Sequence, residues 1–357
     1  MPSARGTTAV AVRLIIQIPC LNERQWLAET LAALPRELAG IDSIEVLVID
    51  DGSTDGTAEV AETLGVHHIV RFARNRGLAA AHMAGLDACL RLGADIIVNT
   101  DADNQYRGSD IARLVAPVLA GQADIVIGDR NTDTIPHFSL LKRILQRWGS
   151  RVVRRASGTT VADSTSGFRA MNRRAAYALF VHNRFSYTLE TIIQAGQLGL
   201  TLENVAVQTN PKARESRLFR SIPEYLRRNG AVILRAYNLY WPTQTFGFMA
   251  IALFMLGATL GLRFVYYYVQ DPDYSGHVQS LLVGVGAVVL SLIVGLMALL
   301  GDLMATNRRL IEEVLRRVRR LDAQVAAGQG GGQVEGVHTT GALAWRPVRG
   351  HDNHVVP

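Results

Sequence analysis

The sequence predicts an α/β protein built on a mainly parallel sheet and followed by a hydrophobic appendage. Three observations carry that prediction. Between Arg13 and about Val207, short apolar, β-branched runs alternate with longer amphipathic stretches, the pattern of parallel strands joined by crossover helices. Clusters of Asp, Asn and Gly follow several of the runs, and ligands of such sheets bind beyond the carboxyl ends of the strands. Beyond Phe246 lie two long apolar segments, which bring the mean hydropathy of the whole chain to +0.14. With 357 residues and 48% hydrophobic content the chain has room for one domain of roughly 200–250 residues plus the appendage.

The predicted strands are Leu14 to Ile18, Ile44 to Ile49, His68 to Phe72, Ile96 to Val98 and Ile125 to Ile127. Helices are expected over Arg24 to Leu38, Thr54 to Leu64, Leu78 to Leu92 and Gly108 to Ala120. The first strand leads into Pro19-Cys20-Leu21-Asn22-Glu23, and the second into Asp50-Asp51-Gly52-Ser53-Thr54-Asp55-Gly56-Thr57. In the latter, Ser53 or Thr54 suits a helix cap and the glycines suit a tight turn. Capping leaves the adjacent carboxylates of Asp50 and Asp51 unexplained, and a ribose diol or a base N–H would use one of them. Asn75-Arg76-Gly77-Leu78 opens the third helix, with Arg74 or Arg76 able to meet phosphate. After the fourth strand, Asp101, Asp103 and Gln105 occupy alternate positions. If the chain stays extended there, the three side chains point the same way. Three oxygen donors of this kind suit a hard divalent cation that takes its other ligands from water and from a substrate's phosphates.

These motifs, taken with Ser166-Gly167-Phe168-Arg169, occur in the order seen in family 2 glycosyltransferases, and the chain resembles the polyprenyl-phosphate group, which contains dolichol-phosphate mannose synthase. The resemblance covers about residues 10 to 300. It implies a GT-A fold and the transfer of one sugar from a nucleotide sugar to a membrane polyprenyl phosphate, with inversion. It also implies Mg2+ or Mn2+ held by Asp101, Asp103 and Gln105, with Asp103 central to catalysis. The donor would lie against Pro19, Leu21, Glu23, Asp50, Asp51, Asn75, Gly77, Asp101 and Ala102, with Glu23 and Asp51 on the nucleoside. Ser166, Arg169, Glu190, Arg214, Ser216 and Arg217 would face the acceptor, Arg169 and Arg217 serving the reaction directly. Arg217 stands where many relatives have lysine, which keeps the charge but replaces a point donor with a planar fork. His67, His68 and His82 have no partner pattern and read as structural, as do Trp26 and Trp148.

The catalytic domain is expected over residues 1–220. Between Asn210 and Trp241, seven Lys and Arg residues stand against two Glu, ending in Tyr240-Trp241. A basic, aromatic-ended helix of this kind over 221–243 suits a membrane interface. Residues 244–303 read as a two-helix transmembrane hairpin, with apolar spans Phe246 to Val269 and Leu281 to Leu300. The connection Gln270 to His277 has acids and no Lys or Arg, whereas both outer flanks are Arg-rich, so the catalytic domain and both termini are expected on the cytoplasmic side. Residues 304–326 form a charged helix whose apolar stripe suits either a contact between copies or the membrane surface. The Gly-rich tail from 327 to 357 is expected to be disordered.

Several alternatives weaken on the same residues. Cys20 and Cys89 alone support neither a disulfide framework nor a zinc site. The net charge of +6 comes without a nucleic-acid reader motif or stacking surface. A processive polysaccharide synthase would carry Q-x-x-R-W, but Ile144 stands where that motif needs Gln before Arg147-Trp148. A non-catalytic membrane scaffold would not need the Asp101, Asp103 and Gln105 set. UDP and GDP donors remain equally open.

Overall fold

The computed structural model describes residues 11–130, 158–159, 161–181, 187–210, 242–270, 278–328 and 338–339. The chain divides into two units, Met1–Tyr225 with Arg316–Pro357, and Leu226–Leu315. The first holds one eight-stranded sheet: β1 Arg13–Cys20, β2 Ser43–Asp50, β3 His68–Arg71, β4 Ile96–Asn99, β5 Ile125–Asp129, β6 Arg169–Asn172, β7 Leu202–Ala206 and β8 His338–Thr339, in the order β7-β5-β6-β4-β1-β2-β3-β8. Strands β1 to β4 are mutually parallel where they pair, as are β5 and β7. Strand β6 is not among the strands expected from apolar runs, and it breaks the parallel pattern by pairing antiparallel with both β4 and β5.

Parallel strands covered on both faces are apolar over most of their length, and Leu14, Ile15, Ile16, Ile18, Leu47, Val48 and Ile49 are all fully buried, with Gln17 among them. The crossover helices are α1 Arg24–Ala32, α2 Thr57–Thr63, α3 Leu78–Arg91 and α4 Ile111–Leu119. Helix α4 buries Ile111, Leu114, Val115 and Val118, a stripe at i, i+3, i+4 and i+7. Helix α3 buries mostly small residues, and a Cβ on Gly85 would collide with Gln17 and Ile49, so α3 rides close over β1 and β2. Two further helices, α5 Arg173–Ala178 and α6 Thr188–Gln197, follow β6.

The second unit contains most of two long helices, α7 Pro242–Gln270 and α8 Val278–Gly328. Both are long and apolar enough to cross a membrane. They pack through glycine: a Cβ on Gly257 would stand 2.7 Å from Gly284 O, and one on Gly284 would stand 3.0 Å from Gly257 O. Where the sequence suggested a span and a separate charged helix, α8 runs through both without a break, because no Pro or Gly pair interrupts it between Asp302 and Ala327. Within the first unit, Arg319 near its end donates to Asp87 Oδ1 of α3 at 2.7 Å and to Leu179 O at 2.8 Å. In the tail expected to be disordered, His338–Thr339 pair with β3. The basic interfacial stretch, the loop after α7 and the rest of the tail lie outside the described residues.

Candidate active site

The carboxyl ends of β1, β2 and β4 converge because Gln17 pairs with Asn99 across β1 and β4 while Cys20 pairs with Asp50 across β1 and β2. The loops leaving β1 and β2 are laced together. Asn22 N donates to Ser53 Oγ at 2.9 Å, Thr54 N donates to Asn22 Oδ1 at 2.9 Å, and Glu23 N donates to Thr57 Oγ1 at 3.0 Å. Asp55, rather than Ser53 or Thr54, serves the start of α2: its Oδ1 accepts from Thr57 N at 3.0 Å. Beside these loops, Asn22, Arg24, Gln25, Trp26 and Asp55 line an open recess of about 560 Å³.

Asp50 and Asp51 are buried, and the protein itself takes up their charge. Asp51 Oδ1 accepts from Arg76 N at 2.7 Å and its Oδ2 from Gly77 N at 2.9 Å, at the amino end of α3 where a negative charge is favourable. Asp50 Oδ1 accepts from Ser53 N at 2.8 Å, and Arg71 lies 3.5 Å from Oδ2. Gly52, which follows the pair, has φ +74, and a Cβ there would stand 2.5 Å from the Arg74 carbonyl carbon, so only glycine lets the two loops meet. Asp51, expected to hold the nucleoside, has one oxygen on each of two backbone N–H groups and so braces the Asn75-Arg76-Gly77 turn. Asn75 and Leu21 are exposed, while Glu23 is buried.

The second carboxylate pair is arranged differently. Strand β4 ends at Asn99, so Asp101 and Asp103 meet through a turn and not by strand alternation. Asn104 takes a left-handed φ of 52°, and Asp103 Oδ1 accepts from Gln105 N at 3.2 Å, folding the segment back on itself. Thr30 Oγ1 donates to Ala102 O at 2.8 Å and ties the turn to α1. Burial, and then the negative charge of Asp103, push Asp101 up to about 7; Glu23 adds to the rise and Arg130 opposes it. Among the described residues no third His, Cys, Asp or Glu completes a metal cluster with them. The two carboxylates, crowded enough to raise Asp101, fit a hard divalent cation that would draw its remaining ligands from water or phosphate.

Arg130, just beyond β5, was missed by sequence reasoning, although a basic residue three positions after the apolar run Ile125-Val126-Ile127 was a readable signal. Its guanidinium is clamped by Asp163, Nε to Oδ2 at 2.7 Å and Nη2 to Oδ1 at 3.1 Å, and by Thr165 Oγ1 at 2.8 Å. Burial alone would raise Asp163, yet the charge and hydrogen bonds of Arg130 with those of Thr165 hold it below the usual carboxylate range.

Arg169, expected to face an acceptor, is turned inward. It is 2% exposed and donates to Ser166 O at 2.9 Å, Thr191 Oγ1 at 2.6 Å, Thr188 O at 3.0 Å and Ser164 O at 3.3 Å. Burying so polar a group requires these acceptors, and they hold the turn before β6 in place. Ser166 and Glu190 are also buried. Arg214, Ser216 and Arg217 lie outside the described residues.

Known proteins are similar to this chain in sequence and in fold. The family model described as Glycosyl transferase family 2 matches residues 15–180. An uncharacterised glycosyltransferase of Mycobacterium tuberculosis is 31% identical over 201 residues, 55% of this chain and 85% of that one. Polyprenol monophosphomannose synthase of Mycolicibacterium smegmatis is 32% identical over 175 residues, 47% of this chain and 64% of that one. In fold, the chain is similar to glucosyl-3-phosphoglycerate synthase from Mycobacterium tuberculosis, crystallised with Mn2+, UDP and glucosyl-3-phosphoglycerate. That match has a TM-score of 0.50 at 18% identity and covers 64% of this chain and 79% of that one. With a GT-A-like mixed sheet, a matching family model and relatives of this kind, the chain is a glycosyltransferase and belongs to glycosyl transferase family 2.

Proposed function

We propose that the chain transfers one sugar from a UDP- or GDP-linked donor to a membrane polyprenyl phosphate, with inversion and with the help of Mg2+ or Mn2+. The observation that carries this reading is the Asp101 and Asp103 pair at the carboxyl end of the sheet, whose mutual repulsion Arg130 offsets only in part. Asp101, Asp103 and Gln105 would hold the cation. When bound, it would offset the charge of the departing nucleoside diphosphate. The relative from Mycolicibacterium smegmatis, named for polyprenol monophosphomannose synthesis, and the two apolar helices support a lipid acceptor.

Little is asked of a general base. A phosphomonoester has a second pKa near ~6, so the acceptor arrives largely as a dianion. Its oxygen bonds to the anomeric carbon from the face opposite the nucleoside diphosphate, which leaves with the electron pair of the broken bond. The chain's own work is to hold two anions together and to exclude water, and positioning and fixed charge supply the acceleration. Arg130 offers a fixed positive charge near Asp101, and the basic segment with Arg214, Ser216 and Arg217 would receive the lipid phosphate. The recess at Asn22 and Trp26, beside the loops after β1 and β2, would receive the nucleoside.

The decisive assay offers the purified chain a panel of UDP- and GDP-sugars with a short polyprenyl phosphate, with and without EDTA. Formation of a monoglycosyl lipid that stops with EDTA and returns with Mg2+ or Mn2+ is expected. Long polymer would indicate a processive synthase, and lipid binding without transfer from any donor a scaffold; either overturns the proposal. For the topology, labelling of Ser275→Cys from outside intact cells, with a tail cysteine protected, is expected. The reverse pattern would place the catalytic unit on the other side.

A further inference from the structure

Beneath the Asp101 turn lies a buried polar cluster that the chemistry above does not use. Gln17 on β1, His82 on α3 and Asn99 at the end of β4 are each 0% exposed. Gln17 Nε2 donates to Asn99 Oδ1 at 2.9 Å, and His82 Nδ1 lies 3.0 Å from both Gln17 Nε2 and Asn99 Oδ1. The imidazole is stacked on Tyr187 with ring centroids 3.7 Å apart and planes 4° from parallel. Burial holds His82 neutral, at about 3. Polar groups sealed in such a place are costly unless they bond to one another, and together they admit few arrangements.

What they hold is a single peptide. Asn99 Nδ2 donates one hydrogen to Gly167 O and the other to Tyr187 Oη, each at 2.8 Å. The antiparallel pairing of β6 with β4 sets Arg169 opposite Asn99 and so brings the turn before β6 to the carboxyl end of β4. There Gly167 meets Asp101 directly: a Cβ on Gly167 would stand 3.1 Å and 3.3 Å from the two Asp101 oxygens and 2.9 Å from Tyr187 Oη. Tyr106, just past the Asp101 turn, accepts from Gly167 N at 3.3 Å and holds the peptide's other end.

We propose that Asn99 is a positioning residue. Fixed by Gln17 and His82 on one side and Tyr187 on the other, it presses the Gly167 peptide against Asp101 and so sets the orientation of that carboxylate toward the cation. The inference rests on the reading of Asp101 as a cation ligand. Groups that orient a ligand from behind, when removed, typically weaken metal affinity or activity by about 10–100-fold.

The test is Mn2+ binding to the full-length chain in detergent, followed by electron paramagnetic resonance with Mn2+ alone and again with UDP and with GDP. The variants are Asn99→Ala and Tyr187→Phe, the latter keeping the ring stacked on His82 while deleting the hydroxyl. The wild type is expected to bind, and both variants to bind about tenfold or more weakly with unchanged circular dichroism. Wild-type affinity in a folded Tyr187→Phe and Asn99→Ala overturns the positioning role while leaving the cation reading intact. A wild type that binds no Mn2+ under any condition overturns both. Should Asn99→Ala fail to fold, Tyr187→Phe decides alone. Gly167→Ala adds a further readout, since its methyl group would push on both Tyr187 Oη and Asp101 and is expected to weaken Mn2+ binding.

Discussion

Two pairs of acids stand at the carboxyl end of the same sheet, and they have opposite surroundings. Asp50 and Asp51 after β2 are buried and met by the N–H groups of Ser53, Arg76 and Gly77 and by Arg71. Among the described residues Asp101 and Asp103 after β4 have no such ring of donors, Gln105 N on Asp103 Oδ1 apart, and Asp101 is driven up to about 7 by burial and by its neighbour. The difference separates a carboxylate whose charge meets the loop's own donors from one set in a crowded negative pair. Adjacent acids in a motif do not reveal which they are; their donors do.

The largest effect should come from the second pair. Asp103→Asn keeps the volume and removes one negative charge from the set that would hold the cation. Transfer should fall by roughly a hundredfold or more, since losing an electrostatic term of this kind typically costs ~3 kcal/mol. The melting temperature should hold, because Asn suits the same turn. Near-normal transfer by a folded Asp103→Asn at saturating Mg2+ or Mn2+ would end the comparison in favour of a mere turn.

Asp163 supplies the next contrast, an acid near the same site that is fully matched. Asp163→Asn would strand the Arg130 guanidinium, and breaking a buried pair costs about 3 kcal/mol. The sign with pH follows from the direction of its shift. A carboxyl held below its ordinary value contributes stability above that value and loses it as pH falls. The gap in melting temperature between wild type and variant should therefore be full at pH 7 and shrink toward pH 3. A gap that grows in acid contradicts the assignment.

Much of this architecture is legible in the sequence. Strands β1 to β5 and helices α1 to α4 follow from apolar runs and amphipathic spacing, because burial on both faces keeps the runs almost wholly apolar, Gln17 in β1 being an exception. The short β6, Arg-Ala-Met-Asn, is not legible: its place in the sheet comes from its neighbours β4 and β5 and not from its own composition. Arg169 misleads for a related reason. A sequence shows a cation but not the carbonyls of Ser164, Ser166 and Thr188 that occupy it. Nor can alternation at Asp101, Asp103 and Gln105 reveal a turn, since Asn104 can adopt either an extended or a left-handed backbone.

The two acid pairs can also be set against each other in one measurement of stability without metal. Asp51→Asn puts an amide N–H against the backbone donors of Arg76 or Gly77, leaving one unpaired, and should cost ~1–3 kcal/mol. Asp101→Asn removes a crowded negative charge and should leave the metal-free melting temperature unchanged or raised, while abolishing transfer. If both variants lose stability alike, the two pairs do not differ in the way described.

The smallest expected effect lies on the same strand as Asp50, at its other end. Glu45 accepts from His68 Nε2 at 2.7 Å and lies 3.5 Å from Arg13 Nε. Hydrogen bonding from His68 is the main reason its carboxyl sits below the ordinary range. With its side chain 20% exposed, the pair belongs near the surface class worth ~0.2–1 kcal/mol, which corresponds to about 1–3 °C for a domain of this size. Because the folded value is lowered, this stability is present above the unfolded pKa near ~4.3 and disappears as pH falls through the folded one. Glu45→Gln should thus melt slightly below wild type at pH 7, by a gap that narrows as pH falls toward 3. Thermal scans at the two pH values would show it. A Glu45→Gln deficit that persists undiminished at pH 3 would mean that shape and packing, not charge, make Glu45 useful to β2, and that the contrast between satisfied and unsatisfied acids stops at the carboxyl end of the sheet.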